Sequence, residues 1–361
     1  MKTDRSDILA SLRNAGDYVS GQQLCERLGV SRTAVWKVIK QLKEEGYHIE
    51  SVSNKGYLLV ESPEDVLSEE EIASRLTTQW AGRKLYCRRE TGSTNNDAKR
   101  CGEEGDPHGT VVVADMQNAG KGRRGRAWQT TPGTALSFSI LLRPDFPAQR
   151  ASMITLVMAL AVAQAVEAAL DGNTEDSAGQ AAFAEEGIES RAEKASDPTV
   201  RIKWPNDIVV NRKKVCGMLT EMTMTPEMNE IQYLVVGVGI NVNNESPLEF
   251  QEEIRDKATS LRIEKGCRLN RAALLQDVLC RFERHYQTFL ETLTVSGLRE
   301  AYQARLQGLD GEVRVLDPAG EYTGISCGIN DRGELLVERE NGERVAVYAG
   351  EVSVRGLYGY V

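Results

Sequence analysis

Gly120-Lys121-Gly122-Arg123-Arg124-Gly125-Arg126 sets three glycines and four cations in seven residues. Its literal spacing, Gly120-x-Gly122-x-x-Gly125, matches the fingerprint of a doubly wound dinucleotide-binding sheet. That fingerprint needs a helix opening at the loop. Here the loop runs instead into the turn-like residues 127–133 and then into the strand-like residues 135–142, so the doubly wound reading fails its context. A Walker loop fails too, because no Gly-Lys-Ser/Thr follows at the required spacing. Cations this dense repel one another on a bare surface loop. Glycines that admit a ligand close to the backbone, among arginines and lysine, are suited to holding phosphate. Lys203-Trp204-Pro205-Asn206-Asp207, a lysine beside a rigid corner, supplies a further cation, and together the two stretches point to nucleotide chemistry.

The 361-residue chain is too long for one ordinary core and is expected to form two or three domains. A hydrophobic content of 41% with 27% charged residues fits a water-soluble globular protein. The first residues are charged and show no signal core. The longest apolar run, residues 153–163, is too short to span a bilayer and reads as a buried helix. Seven scattered cysteines without a C-x-x-C pair suit reduced thiols in a cytoplasm. His48, His108 and His285 are dispersed and give no zinc pattern. The net charge of −9 hides an uneven distribution: residues 1–60 carry nine Lys/Arg against seven Asp/Glu, and 171–199 carry eight acids against two bases. Residues 171–199, poor in large apolar side chains, are expected to be a mobile acidic insertion on the surface.

Three modules are expected. In residues 1–62, Ile8, Leu9 and Leu12 form one helical stripe, and Leu24 and Leu28 belong to a second, short helix. Gly29 makes a tight turn and Ser31 caps a third helix whose Ala34, Val35, Val38 and Leu42 face a core. Residues 47–52 and 57–60 form a wing. This is a winged helix-turn-helix pattern, and its DNA-facing set is Gln22, Ser31, Arg32, Thr33, Trp36, Lys37 and Lys40. Trp36 stays open between DNA contact and packing.

Residues 63–310 read as an α+β domain with a mixed sheet. Its strands are expected at 110–114, 135–142, 200–204, 208–210, 217–222 and 233–238, and its helices at 69–77, 95–104, 150–170, 270–290 and 296–306. Residues 311–361 read as short strands separated by turns at 317–320, 330–333 and 340–342, the pattern of a five-stranded SH3-like β-barrel.

Further phrases fall in order along the chain: Thr91 to Asn96, Gln117 to Trp128, Lys203 to Asp207, Lys214 to Glu221, Val236 to Asn243 and Gly350 to Arg355. As a series they resemble the bifunctional biotin–protein ligases that double as biotin operon repressors, the BirA type, over nearly all of the chain. The resemblance implies condensation of biotin with ATP to biotinyl-5′-AMP and pyrophosphate, with Mg2+ bridging phosphates, then transfer of biotin to a lysine of a biotin carboxyl carrier protein domain. The first step brings a carboxylate to an α-phosphate, so cations must offset the repulsion. Arg123 and Lys203 are the expected catalytic pair.

The resemblance further implies biotin binding by Ser93, Thr94, Asn95, Gln117, Lys121, Gly122, Arg123, Lys203, Gly217 and Leu219. It implies nucleotide binding by Arg123, Arg124, Arg126, Trp128, Lys203, Asn241 and Arg355. Asp207 would place the magnesium or orient Lys203. The adenylate would also act as corepressor, favouring a homodimer that presents two winged helices to a palindromic double-stranded operator, in the cytoplasm and with no membrane partner. Lys121 stands where that family often has arginine, and the 171–199 insertion has no counterpart in its shorter members. Two rival classes stay open: a biotin-sensing repressor without turnover, and a lipoate-type acyl ligase on the same fold. The intact loop with Lys203 speaks against the first, and the loop with the repressor module against the second.

Overall fold

The computed structural model describes residues 5–172, 199–225, 230–317, 320–348 and the backbone of 353–356. The first unit holds helices Arg5–Ala15, Gly21–Leu28 and Arg32–Glu44 and the hairpin His48–Val52/Gly56–Glu61. Ser20 and Gln23 close a reciprocal capping box on the second helix. Gly29, at φ 65°, ends that helix, and the Ser31 side chain accepts from Ala34 N to start the next. Ile8, Leu12, Leu24, Val35, Val38, Leu42 and Ile49 close a small core. Ile39 is buried in it while Ala34 is only partly covered, so the inward stripe lies slightly round the helix from its expected position.

A buried carboxylate ties this unit to the next. Glu71, in helix Glu69–Arg75, accepts from Arg13 Nη2 at 3.0 and 3.1 Å, from Arg75 Nε at 2.8 Å and from the Tyr47 hydroxyl at 2.6 Å. Its charge is paired twice and its oxygens are satisfied, the condition under which a buried ion is tolerated.

The central unit is built on seven strands in the spatial order Leu85–Thr91, Val111–Gln117, Ala135–Leu142, Ile231–Asn241, Lys213–Met224, Asp207–Val210 and Val200–Lys203. Only the first pair is parallel. The sheet is therefore mixed, and the glycine loop opens no doubly wound fold. Side chains alternate between faces. Val113, Phe138, Ile140, Val236 and Val238 join the main core with helices Ala151–Asp171 and Arg271–Thr292, whereas Val112, Leu141, Tyr233 and Val235 pack with Ala98 and Cys101 of helix Thr94–Glu103. The apolar helix extends well beyond residues 153–163: residues 148–171 are long and apolar enough to cross a membrane, but 78% of that apolar window is buried in the core.

The last unit is a five-stranded antiparallel sheet in the order Arg344–Val347, Leu335–Glu338, Tyr322–Ile329, Glu312–Leu316 and Ser353–Gly356. Trp204 Nε1 donates to Gly333 O at 2.9 Å and links it to the central unit. Most of the acidic insertion, residues 173–198, and the side chain of Arg355 lie outside the described residues.

Candidate functional site

One cavity gathers residues from four parts of the sequence. The start of helix Thr94–Glu103 brings Ser93, Thr94 and Asn95, the end of strand Val111–Gln117 brings Gln117, and the glycine loop brings Lys121, Gly122, Arg123 and Trp128. Asn206, Lys214, Gly217, Met218 and Leu219 form a further wall, and Gly237, Val238 and Gly239 complete the lining.

The glycine loop is a miniature hairpin, with Gly120–Lys121 paired to Ala127–Trp128 and Gly122 N donating to Arg126 O at 2.7 Å. Ala127 and Trp128 thus form a short strand where a turn was expected. Arg124 takes the left-handed conformation at φ 58°. The hairpin carries Arg123 into the cavity and leaves Arg124 and Arg126 exposed outside its lining.

The polar floor is closely specified. Ser93 is buried at the helix start, yet its side chain makes no capping hydrogen bond, so helix capping does not account for this serine. Gln117 Oε1 accepts from Thr94 N at 2.7 Å and from Thr94 Oγ1 at 3.1 Å, which leaves Nε2 as the donor end of that amide. Asn95 Nδ2 donates to Leu219 O at 3.3 Å and to Glu221 Oε2 at 2.7 Å, while its Oδ1 accepts from Ser139 Oγ at 2.6 Å.

The cationic wall is a chain of contacts. Arg123 Nη1 donates to Asn206 Oδ1 at 2.9 Å, Asn206 Nδ2 donates to Asp207 Oδ1 at 3.1 Å, and Lys214 Nζ donates to the same oxygen at 2.7 Å. Lys214 Nζ also lies 5.9 Å from the Trp128 ring centroid. Burial pulls the Arg123 pKa below its ordinary value, with Asp207 opposing, and a guanidinium remains a cation throughout the physiological range.

Two further expected residues, Lys203 and Asn241, fall outside the cavity lining. Lys203 pairs in register with Asp207 across the Trp204-Pro205-Asn206 turn and does not line the cavity. Lys214 does, because the ladder to Asp207–Val210 is irregular between Lys214 and Cys216, and such a bulge re-aims a side chain. Its one signal in the sequence is its place at the head of the phrase Lys214 to Glu221, three positions before Gly217. Asn241 is buried and its Nδ2 donates to Thr259 O at 3.0 Å, away from the cavity lining. The glycines before it matter instead: a methyl on Gly237 would collide with the Asn95 amide, and one on Gly239 with the Trp128 indole. Among the described residues no group of three or more His, Cys, Asp or Glu could hold a metal ion, and Asp207 has Oδ1 engaged by Lys214.

In the first unit, Gln22, Ser31, Arg32, Thr33, Trp36, Lys37 and Lys40 are all exposed on or beside helix Arg32–Glu44. Trp36 is 57% exposed, so it does not serve the core, and Lys40 Nζ lies 5.7 Å from its ring centroid. Arg32 Nη2 donates to Gln22 Oε1 at 2.8 Å.

A winged helix joined to a mixed-sheet domain with a cationic ligand cavity is the architecture of a DNA-binding ligase. Residues 85–241 match the biotin/lipoate A/B protein ligase family, residues 4–58 a helix-turn-helix domain and residues 308–355 the biotin protein ligase C-terminal domain. The chain is 35% identical over 353 residues to the bifunctional ligase/repressor BirA of Bacillus spizizenii, covering 98% of this chain and 99% of that one. It is 29% identical to the BirA of Escherichia coli K12, over 96% of each. The solved structure of the biotin protein ligase from Aquifex aeolicus in complex with biotin and ATP matches with a TM-score of 0.57 and 30% identity, over 76% of this chain and 99% of that one. The chain belongs to the bifunctional ligase/repressor BirA family.

Proposed function

We propose that the chain is an ATP-dependent biotin–[biotin carboxyl carrier protein] ligase that also represses biotin genes in response to biotin. The observation that carries this reading is one cavity in which a polar floor adjoins a wall bearing Arg123 and Lys214. Biotin's ureido ring has one carbonyl and two N–H groups and needs donors and acceptors together. Gln117 Nε2 and the Ser93 hydroxyl offer donors, and Asn95 Oδ1 offers an acceptor. Its carboxylate oxygen then bonds to the α-phosphorus of ATP as pyrophosphate leaves. Arg123 and Lys214 offset the meeting of two anions and neutralise the charge that builds. A carrier lysine amine next attacks the acyl carbon, and AMP departs.

Magnesium would supply charge neutralisation at the ATP phosphates, and Asp207 is the carboxylate of this chain that would hold it. Its engagement with Lys214 makes orientation of that lysine its first role. Trp128, seated on Gly239, supplies an aromatic face for the adenine. Lys121, Gly122, Gly217 and Leu219 shape the biotin end. Arg124 and Arg126 are left to meet phosphate from outside the cavity lining, and Arg355 is kept as a further nucleotide contact.

In this reading biotinyl-5′-AMP is the corepressor. It favours a cytoplasmic homodimer whose paired winged helices meet a palindromic operator through Arg32, Lys37 and Lys40, with Gln22, Ser31, Thr33 and Trp36 at the same face. The C-terminal sheet closes as an SH3-like barrel beside the catalytic unit. The reading is tested by ATP–pyrophosphate exchange. Exchange that requires biotin and ignores lipoate supports it. Exchange driven by lipoate would make the chain the other acyl ligase, and tight biotin binding without exchange would leave a sensor-repressor.

A further inference from the structure

Glu221 has no role in the scheme above. It stands two residues beyond Leu219 on strand Lys213–Met224, hence on the same face as the cavity-lining Gly217 and Leu219. One carboxylate oxygen accepts from Asn95 Nδ2, and the other is ion-paired with Lys99, one helical turn beyond Asn95. A primary amide has two N–H donors and one acceptor oxygen. Both Asn95 donors are directed at groups that only accept, the Leu219 carbonyl and the Glu221 carboxylate, while Ser139 donates to Oδ1. Turning the amide over would set its oxygen against two acceptors. The oxygen therefore stays where Gly237 leaves room for it, with one lone pair unspent.

We propose that Glu221, supported by Lys99, is a positioning residue that locks the Asn95 amide as a hydrogen-bond acceptor for a ureido N–H of biotin. The inference rests on the biotin-ligase reading and deepens it. Burial raises the Glu221 pKa, but the hydrogen bonds from Lys99 and Asn95 prevail and the net shift is downward, so the carboxylate stays ionised at neutral pH.

The test is a double-mutant cycle read by calorimetric titration of the intact protein with biotin, alongside the KM for ATP. Glu221→Gln presents an amide that can satisfy either orientation of Asn95. The biotin Kd is expected to rise about tenfold, the scale of one misdirected charge-assisted hydrogen bond, with the ATP KM unchanged. In an Asn95→Ala background the same change is expected to have no further effect on biotin. Wild-type biotin affinity in Glu221→Gln, or an equal loss in both backgrounds, would overturn the proposal. If Glu221→Gln fails to fold, Glu221→Asp withdraws the carboxylate by one methylene and carries the same cycle. A wild-type protein that does not bind biotin would overturn the ligase reading itself, and this one with it.

Discussion

Asp207 Oδ1 accepts from Lys214 Nζ at 2.7 Å, and through Asn206 the same oxygen is joined to Arg123. One carboxylate thereby sets two cations from distant parts of the chain on a single wall. Replacing Asp207 by asparagine keeps the shape and removes the charge that holds Lys214. Biotinyl-5′-AMP formation in a single turnover is expected to slow by about 10- to 100-fold, with biotin affinity little altered. A wild-type rate in the variant would remove Asp207 from the account.

The two glycines of Gly237-x-Gly239 make room for different parts of the site, so their alanine variants should fail differently. Gly237→Ala forces the Asn95 amide aside and is expected to raise the KM for biotin by about tenfold or more. Gly239→Ala displaces the Trp128 indole and is expected to act mainly on the KM for ATP. Steady-state kinetics with each substrate varied in turn separates the two, and identical effects from both variants would contradict the division.

The readable parts of this protein were those whose residues announce themselves locally. The Ser31 cap, Gly29 and the apolar spacing disclose the helix-turn-helix. The run 135–142, apolar but for Ser137 and Ser139, discloses a central strand, and the glycine loop singles out Arg123, which lines the cavity. Strand Leu85–Thr91 was not anticipated, because it is an edge strand of mixed polarity and lacks a buried apolar run. Lys203 stands out in the sequence and Lys214 does not, because sequence distance does not show which lysine a bulged ladder turns inward. Ser139, Glu221 and Lys99 carry no site role in the sequence reading for a similar reason: each looks ordinary alone, and only the fold brings them to Asn95 or to its partner.

Operator binding should weaken steeply with salt if the face of helix Arg32–Glu44 meets phosphate. Lys37→Ala is expected to reduce the slope of log affinity against log salt by about one, and to weaken all operator sequences alike. Fluorescence anisotropy with labelled duplex at several salt concentrations measures this. An unchanged slope would place Lys37 away from the DNA.

His285 makes acid stability a separate test of the core. Burial, then the charges of Arg284, Arg281 and Arg305, hold its pKa down to about 4 against an ordinary 6.5, and its Nε2 bonds Gln164 Oε1 at 2.7 Å. Between pH 6.5 and about 4 the unfolded chain takes up a proton that the folded one does not. Stability should therefore fall across that window, by about 3 kcal/mol for this group alone. His285→Gln is expected to flatten that part of the curve in urea denaturation series, and a variant that follows the wild-type curve would discount the histidine.

In the proposed mechanism Arg123 and Lys214, joined through Asn206 and Asp207 on one wall, carry the adenylation step. The most direct measurement is biotin-dependent ATP–pyrophosphate exchange in wild type, Lys214→Ala and Lys203→Ala. Lys214→Ala is expected to lose about 100-fold or more in rate, and Lys203→Ala to stay within about tenfold of wild type. The reverse ranking would return the catalytic role to Lys203 and contradict the account of the site.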